Sequence, residues 1–309
     1  MEILHSDRFE KPRRASEWVR VYTPQPDVYR GEDTASFIKG TIYPEWIVND
    51  FTLLKSPGRF DLWGITHPRP QGFKDAFNFS PLDVHEAEYQ LFHAAAEGET
   101  FGDVFYEDSF EERPKVLYPA DRPGEKPEIW APCAIRRGDE YVMIYSPKSI
   151  RYALSRDAEN WESGHVLFES DDPTTRDPFY FTDDDGEEYL LTCEGNRVVI
   201  RSADGLSKTG EGHTLQTNPF RDGASESPFL FKRHGVYYLA WSIYDGQNGC
   251  YDERNFVFAS QTLDGFEGRA PITMLDGHAP EFVVTEEGSY ILSVYYPSNG
   301  VSAAKLIWE

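Results

Sequence analysis

Between residues 226 and 242 the chain reads ESPFLFKRHGVYYLAWS. Phe229 and Phe231 alternate with other positions, Arg233-His234-Gly235 interrupts the run, and Val236-Tyr237-Tyr238-Leu239-Ala240-Trp241 resumes it. A period of two broken by a glycine turn predicts an antiparallel hairpin, here with a carboxylate at its mouth. The same grammar recurs in NDFTLLKSPGRFDLWG from Asn49, WAPCAIRRGDEYVMIYS from Trp130, RDPFYFTDDDGEEYLLT from Arg176 and HAPEFVVTEEGSYILSV from His278. The turn glycines Gly58, Gly138, Gly186, Gly235 and Gly288 fall 80, 48, 49 and 53 residues apart. A repeat of about fifty residues in a strand-rich chain marks a propeller, whose units bury their faces only against their neighbours. Five units predict an all-β fold, a five-bladed β-propeller. The long first interval is then a blade plus an insertion over residues 67–88, which holds Phe73, Phe77 and Phe79 and is expected to wall the axial pocket. Third strands are expected at 90–95, 149–155, 197–202 and 255–260, with a charged linker over 98–126. Neither the WD-repeat nor the kelch signature is present.

Residues 1–45 lie outside the repeat and 46–309 form it. Trp18-Val19-Arg20-Val21-Tyr22 alternates as a strand would and is expected to pair with the final blade and close the ring, removing an open sheet edge. Composition supports the all-β reading, with 18 Tyr, 21 Phe, 24 Gly and 21 Pro suiting strands and tight turns.

Charge narrows the partners. Thirty basic against 53 acidic residues leave −23, a surface that repels phosphate backbones and anionic lipid, so neither nucleic acid nor membrane is expected as a partner. No apolar run resembles a signal peptide or a membrane span, which predicts a cytoplasmic protein. Cys133, Cys193 and Cys250 have no metal-like spacing and are expected as buried free thiols.

The first strand of every blade lines the central axis of a propeller, so its opening residues converge although distant in sequence. Asp50, Asp177 and Glu226 open blades one, three and four and are expected at equivalent places in one cleft. Crowded carboxylates cannot all stay ionised cheaply, which sets a neutral acid beside an ionised base, the pairing glycosidic cleavage requires. The same oxygens suit a cation such as Ca²⁺; no cofactor is required, but the axial channel has room for calcium. Trp46 and Trp130, near the pocket entrance, are expected to offer flat faces to a sugar, while Trp63 and Trp241 belong to the core. Asn49, Arg176 and His278 are further candidates for substrate contact, and Glu281, His67 and His93 are weaker ones.

Asp177-Pro178-Phe179 leading to Asp183-Asp184-Asp185-Gly186 and Tyr189-Leu190, with Glu226-Ser227-Pro228 leading to Gly235 and Tyr237-Tyr238, resembles the family 43 glycoside hydrolases and their five-bladed relatives. Arg176-Asp177-Pro178, and Asn49-Asp50 behind Trp46, are also similar to the family 32 fructosidases. The likeness runs from about Trp46 to the end of the chain. It implies a glycosidase acting on a furanoside or xyloside; the blade-one insertion, which would block one end of an open groove, points to cleavage at the end of an oligosaccharide. In the family-43 manner, which inverts, Asp50 would be general base, Asp177 would tune and orient the acid, and Glu226 would be general acid. In the family-32 manner, which retains, Asp50 would be nucleophile, Asp177 would stabilise the transition state and Glu226 would be acid/base. The sequence departs from both patterns at Phe51, where proline is usual, and at Ser227, where glycine or cysteine is usual. A phosphorolytic enzyme and a non-catalytic sugar-binding propeller are the alternatives.

Overall fold

The computed structural model describes residues 9–70, 87–147, 149–218, 223–245, 250–251, 254–294 and 299–309. Its innermost strands are Trp46–Ser56, Trp130–Arg137, Arg176–Thr182, Ala224–Arg233 and His278–Val284. Each packs against the next in that order, and the fifth returns to the first. From every inner strand an antiparallel sheet runs outward, so the molecule is the expected five-bladed propeller. Phe73, Phe77 and Phe79 of the insertion lie outside the described residues.

The core is distributed between blades rather than within them. Trp63, Ile65 and Leu91 of blade one meet Ala134 and Met143 of blade two; Cys133 and Ile144 meet Tyr180 and Leu190 of blade three. Leu191 and Ile200 meet Trp241 and Phe258 of blade four, and Tyr238 and Val257 meet Phe282 and Ile291 of blade five. Trp241 stacks on Phe258 with ring centroids 4.4 Å apart. Side chains alternate faces along each strand, so one strand feeds the two interfaces flanking its blade. Cys133 and Cys193 are buried free thiols, as expected; the side chain of Cys250 lies outside the described set. No helix among the described residues is long and apolar enough to cross a membrane.

Blade five is completed from the other end of the chain. Pro12–Arg14 and Val19–Tyr22 both pair antiparallel with Val301–Trp308, in registers that set Pro12 against Trp308 and Val19 against Ala303. Val21 and Tyr22 are buried with Val48, Phe60, Leu292 and Val301 in the cluster that joins blades five and one. Between these strands and Trp46, a two-stranded ribbon, Asp27–Val28 with Ile42–Tyr43, lies beside blade one. Tyr29, Phe37, Trp46 and Ala87 form their own small core there.

The expected linker over 98–126 is corrected. It contains Glu111–Val116, the outermost strand of blade one, paired with Gln90–Glu97. Four charges and Pro114 hide its alternation, and proline is tolerated there because an edge strand leaves one row of N–H groups unpaired.

Deleting residues 1–22 should uncover the edge of Val301–Trp308 and the apolar cluster behind Val21. Size-exclusion chromatography is expected to show soluble aggregates in place of the single peak of the full chain; a monodisperse, fully folded truncation would refute this role for the N-terminal strands.

Candidate active site

Every inner strand carries one residue more than its partner as it opens. The register slips between Val48 and Phe51, Trp130 and Cys133, Arg176 and Phe179, Glu226 and Phe229, and His278 and Glu281. Each slip is a β-bulge, which bends the strand and re-aims its side chains. In blades two to five the bulged pair is Ala131-Pro132, Asp177-Pro178, Ser227-Pro228 and Ala279-Pro280. The first member of each adopts a left-handed backbone, with φ of 39°, 54°, 49° and 51°. A following proline disfavours the right-handed helical region for the residue before it, which helps select this conformation. The expectation that Asp50, Asp177 and Glu226 share one repeat position is therefore corrected. Glu226 precedes its bulge, Asp177 begins its own, and Asp50 ends the pair Asn49-Asp50.

The three carboxylates nevertheless meet in one network. Ser227 Oγ donates to Asp50 Oδ1 at 2.7 Å, and the Ser227 amide donates to Asp177 Oδ2 at 3.1 Å. Arg176 bridges the other side, its Nε 3.4 Å from Asp177 Oδ2 and its Nη2 3.3 Å from Glu226 Oε1. His278 Nε2 lies between Asp50 Oδ1 at 3.4 Å and Glu226 Oε2 at 3.8 Å. The side chains of Asp50 and Glu226 keep 14% and 13% of their surface exposed, whereas those of Asp177 and His278 keep 4% and 0%. Two carboxylates thus reach open space and a third supports them from beneath.

Burial tends to raise the pKa of Asp50, but the hydrogen bond and charge of His278, the Ser227 hydroxyl and Arg176 outweigh it and hold this carboxylate below its ordinary value. Burial opposes the His278 cation, and Asp50, with Glu226 and Asp177 behind it, restores it and raises the imidazole above its ordinary value. Asp177 moves the other way. Burial, against Arg176 but joined by the charges of Asp50 and Glu226, pushes it up to about 7. Like charges this close are relieved by one group holding its proton.

Ser227 and Ser146 were missed from sequence. Ser146, at the end of the second strand of blade two, accepts the Asp177 amide on its Oγ at 3.3 Å, and Ser242 does the same for Ala279 at 2.8 Å. The signal was the serine that follows an aromatic in the second strand of blades two and four alike, in Tyr145-Ser146 and Trp241-Ser242.

Trp46, expected as a sugar platform, is 1% exposed. The Lys115 ammonium sits 4.5 Å from its ring centroid and its indole N–H donates to Tyr43 O; it is a core residue. Trp130 is half-buried at the head of blade two. Asn49 is buried beside Asp50, and its Oδ1 accepts no hydrogen bond among the described residues. Trp63 and Trp241 are fully buried, as expected. His93 is buried against Asp61 at 2.9 Å and His67 against the Pro68 carbonyl at 2.8 Å, both within blade one. Glu281 lines the axial cavity with Asp50, Asp177 and the bulge prolines. Burial pushes its carboxyl well above the usual range, only the Leu53 amide at 3.4 Å opposing.

The sequence requires no cofactor and leaves that cavity open to calcium. Among the described residues no group of three or more His, Cys, Asp or Glu side chains is arranged to hold a metal ion. The described residues therefore do not present a ready oxygen cage.

Asp177 gives a stability signature. Its folded pKa lies above the unfolded 3.8, so the folded state retains a proton that the unfolded chain loses. That contribution is complete below about pH 4 and is lost as pH rises through about 7. The variant Asp177→Asn, which cannot titrate, should therefore gain melting temperature relative to wild type at pH 8 compared with pH 4. An offset that does not change with pH would reject the assignment.

The model of glycosyl hydrolases family 43 matches residues 109–289. No curated protein sequence matches the chain. Among solved structures, a thermostable family-43 glycoside hydrolase superposes with a TM-score of 0.60 at 16% identity, over 85% of this chain and 89% of that one. An α-L-arabinofuranosidase from Clostridium thermocellum gives 0.55 at 14% identity, over 79% and 81%. A β-xylosidase/α-arabinofuranosidase from a compost microbial metagenome, in complex with xylotriose and in a calcium-free form, gives 0.57 at 15% identity, over 92% and 94%. At such identities these neighbours establish the propeller, while the family match runs through more than half of the sequence: this chain belongs to glycosyl hydrolases family 43.

Proposed function

We propose that the protein hydrolyses a terminal glycosidic bond of a short oligosaccharide, a furanoside or xyloside, with inversion at the anomeric carbon. The observation that carries this reading is the pair of partly exposed carboxylates, Asp50 and Glu226, with the imidazole of His278 between them and Asp177 buried beneath. Asp50, held ionised, takes a proton from water as the water oxygen attacks the anomeric carbon. The bond to the leaving oxygen breaks, and Glu226 delivers its proton there. Asp177 and Arg176 orient Glu226, and the proton that Asp177 retains keeps the charge of the cleft low. Trp130 offers a half-buried aromatic face at the entrance. Solved neighbours described as acting on arabinofuranosides and xylosides support this sugar class. The preference for a chain end rests on the blade-one insertion, most of which lies outside the described residues.

The test is sugar release from arabino-, xylo-, fructo- and galacto-oligosaccharides by wild type, Glu226→Gln and Asp50→Asn. Each variant is expected to lose about 10²- to 10⁴-fold in kcat, and NMR of the first product should show the inverted anomer. Full turnover by Glu226→Gln, or a retained anomer, would sink the assignment.

A further inference from the structure

A second cavity, of about 240 Å³, opens over blade two and is lined by Arg122, Glu125, Glu128, Tyr145, Ser146 and Arg151, with Lys126, Ser149 and Glu169 at its border. That volume has room for many waters rather than one, so it is a groove and not a packing defect. In a propeller blade the first and third strands begin on the face where the second and fourth end. The groove is built where the second strand ends at Ser146, the third begins at Ile150 and the fourth ends at Phe168, on the face where Asp177 and Glu226 open their own blades. One side chain separates the two sites: Ser146 lines the groove while its hydroxyl accepts the Asp177 amide.

The floor is fixed in advance. The Arg122 guanidinium donates to the carbonyls of Leu117 and Lys126, each at 2.9 Å, and lies 3.6 Å from Glu125. Glu125 in turn accepts from Tyr145 Oη at 3.0 Å and from the Gly164 amide at 3.1 Å. Their side chains are 1% and 3% exposed, so neither is free to turn towards a ligand. What remains unmatched is complementary. Glu128 Oε2 is buried and makes no hydrogen bond among the described residues. Arg151 is half-buried, and its side chain makes no hydrogen bond or ion pair among them. A buried acceptor without a donor is costly, and a ligand that supplies one recovers the loss. Neighbouring hydroxyls of a sugar do both things, donating to a carboxylate and accepting from a guanidinium. Among the described residues both cationic and anionic side chains line the groove, so a ligand there meets donors as well as acceptors.

We propose that this groove binds the sugar next to the scissile bond on the leaving-group side, with Glu128 and Arg151 as its specificity-determining contacts and a neutral sugar unit as its ligand. The proposal rests on the glycosidase reading and locates the part of the substrate that leaves. It is tested by the ratio of kcat/KM for a trisaccharide, xylotriose or arabinotriose, to that for an aryl monoglycoside of the same terminal sugar. Arg151→Ala and Glu128→Gln should each lower that ratio about 10- to 100-fold. Calorimetric titration of Glu226→Gln should show tighter binding of the trisaccharide than of the monosaccharide, and adding Arg151→Ala should abolish the difference. A ratio unchanged in both variants, or equal losses on the two substrates, overturns the proposal, as does a trisaccharide that binds no more tightly than the monosaccharide. Retained turnover by Glu226→Gln would instead remove the acid assignment and leave the ratio in the other two variants to decide the groove.

Discussion

Five strands that converge on one axis must each turn their opening residues inward without leaving backbone N–H groups unsatisfied. The bulge repeated in all five blades achieves the turn at the expense of ladder pairing, and the freed amides need acceptors. Ser146 supplies one for blade three and Ser242 one for blade five, whereas in blade four the acceptor is the carboxylate of Asp177. The same backbone demand that shapes the axis therefore fixes the orientation of a buried carboxylate beneath the cleft. Blade order, inter-blade packing and the reach of the exposed acids all depend on those steps.

Electrostatics then divides labour among chemically similar groups. Asp50 has His278, a hydroxyl and Arg176 to favour its charge, while Asp177 has burial and two carboxylates to oppose its own. Arg176 spans Asp177 and Glu226, so the cations of the cleft are engaged by protein carboxylates. An anionic co-substrate would have to displace one of these pairings, which favours water over phosphate as the acceptor of the sugar.

The blade count was legible because the turn glycines keep an almost constant spacing, and the convergence of Asp50, Asp177 and Glu226 because inner strands of a propeller must meet. Their precise places were not. Pairing register depends on where an extra residue is inserted, and a bulge leaves no mark in the alternation before it. Glu111–Val116 was hidden by its charges and Pro114, and Trp46 was misjudged because nothing local reveals that Lys115, nearly seventy residues on, covers its ring. The groove over blade two was invisible for the same reason: its lining comes from three strand ends and a loop, each of which looks like ordinary polar surface alone.

The strands that complete blade five come from opposite ends of the sequence, Pro12 lying against Trp308. On the ribosome, the segment that will shelter Val21 and Tyr22 emerges only after all five inner strands have been made. Blades one to four can assemble in order of synthesis, each on its predecessor, while the opening strands wait without a partner. Closing the ring is then the committing event of folding. Until it happens, the interface of blades five and one is an unprotected sticky end, exposed for at least as long as the intervening blades take to be synthesised.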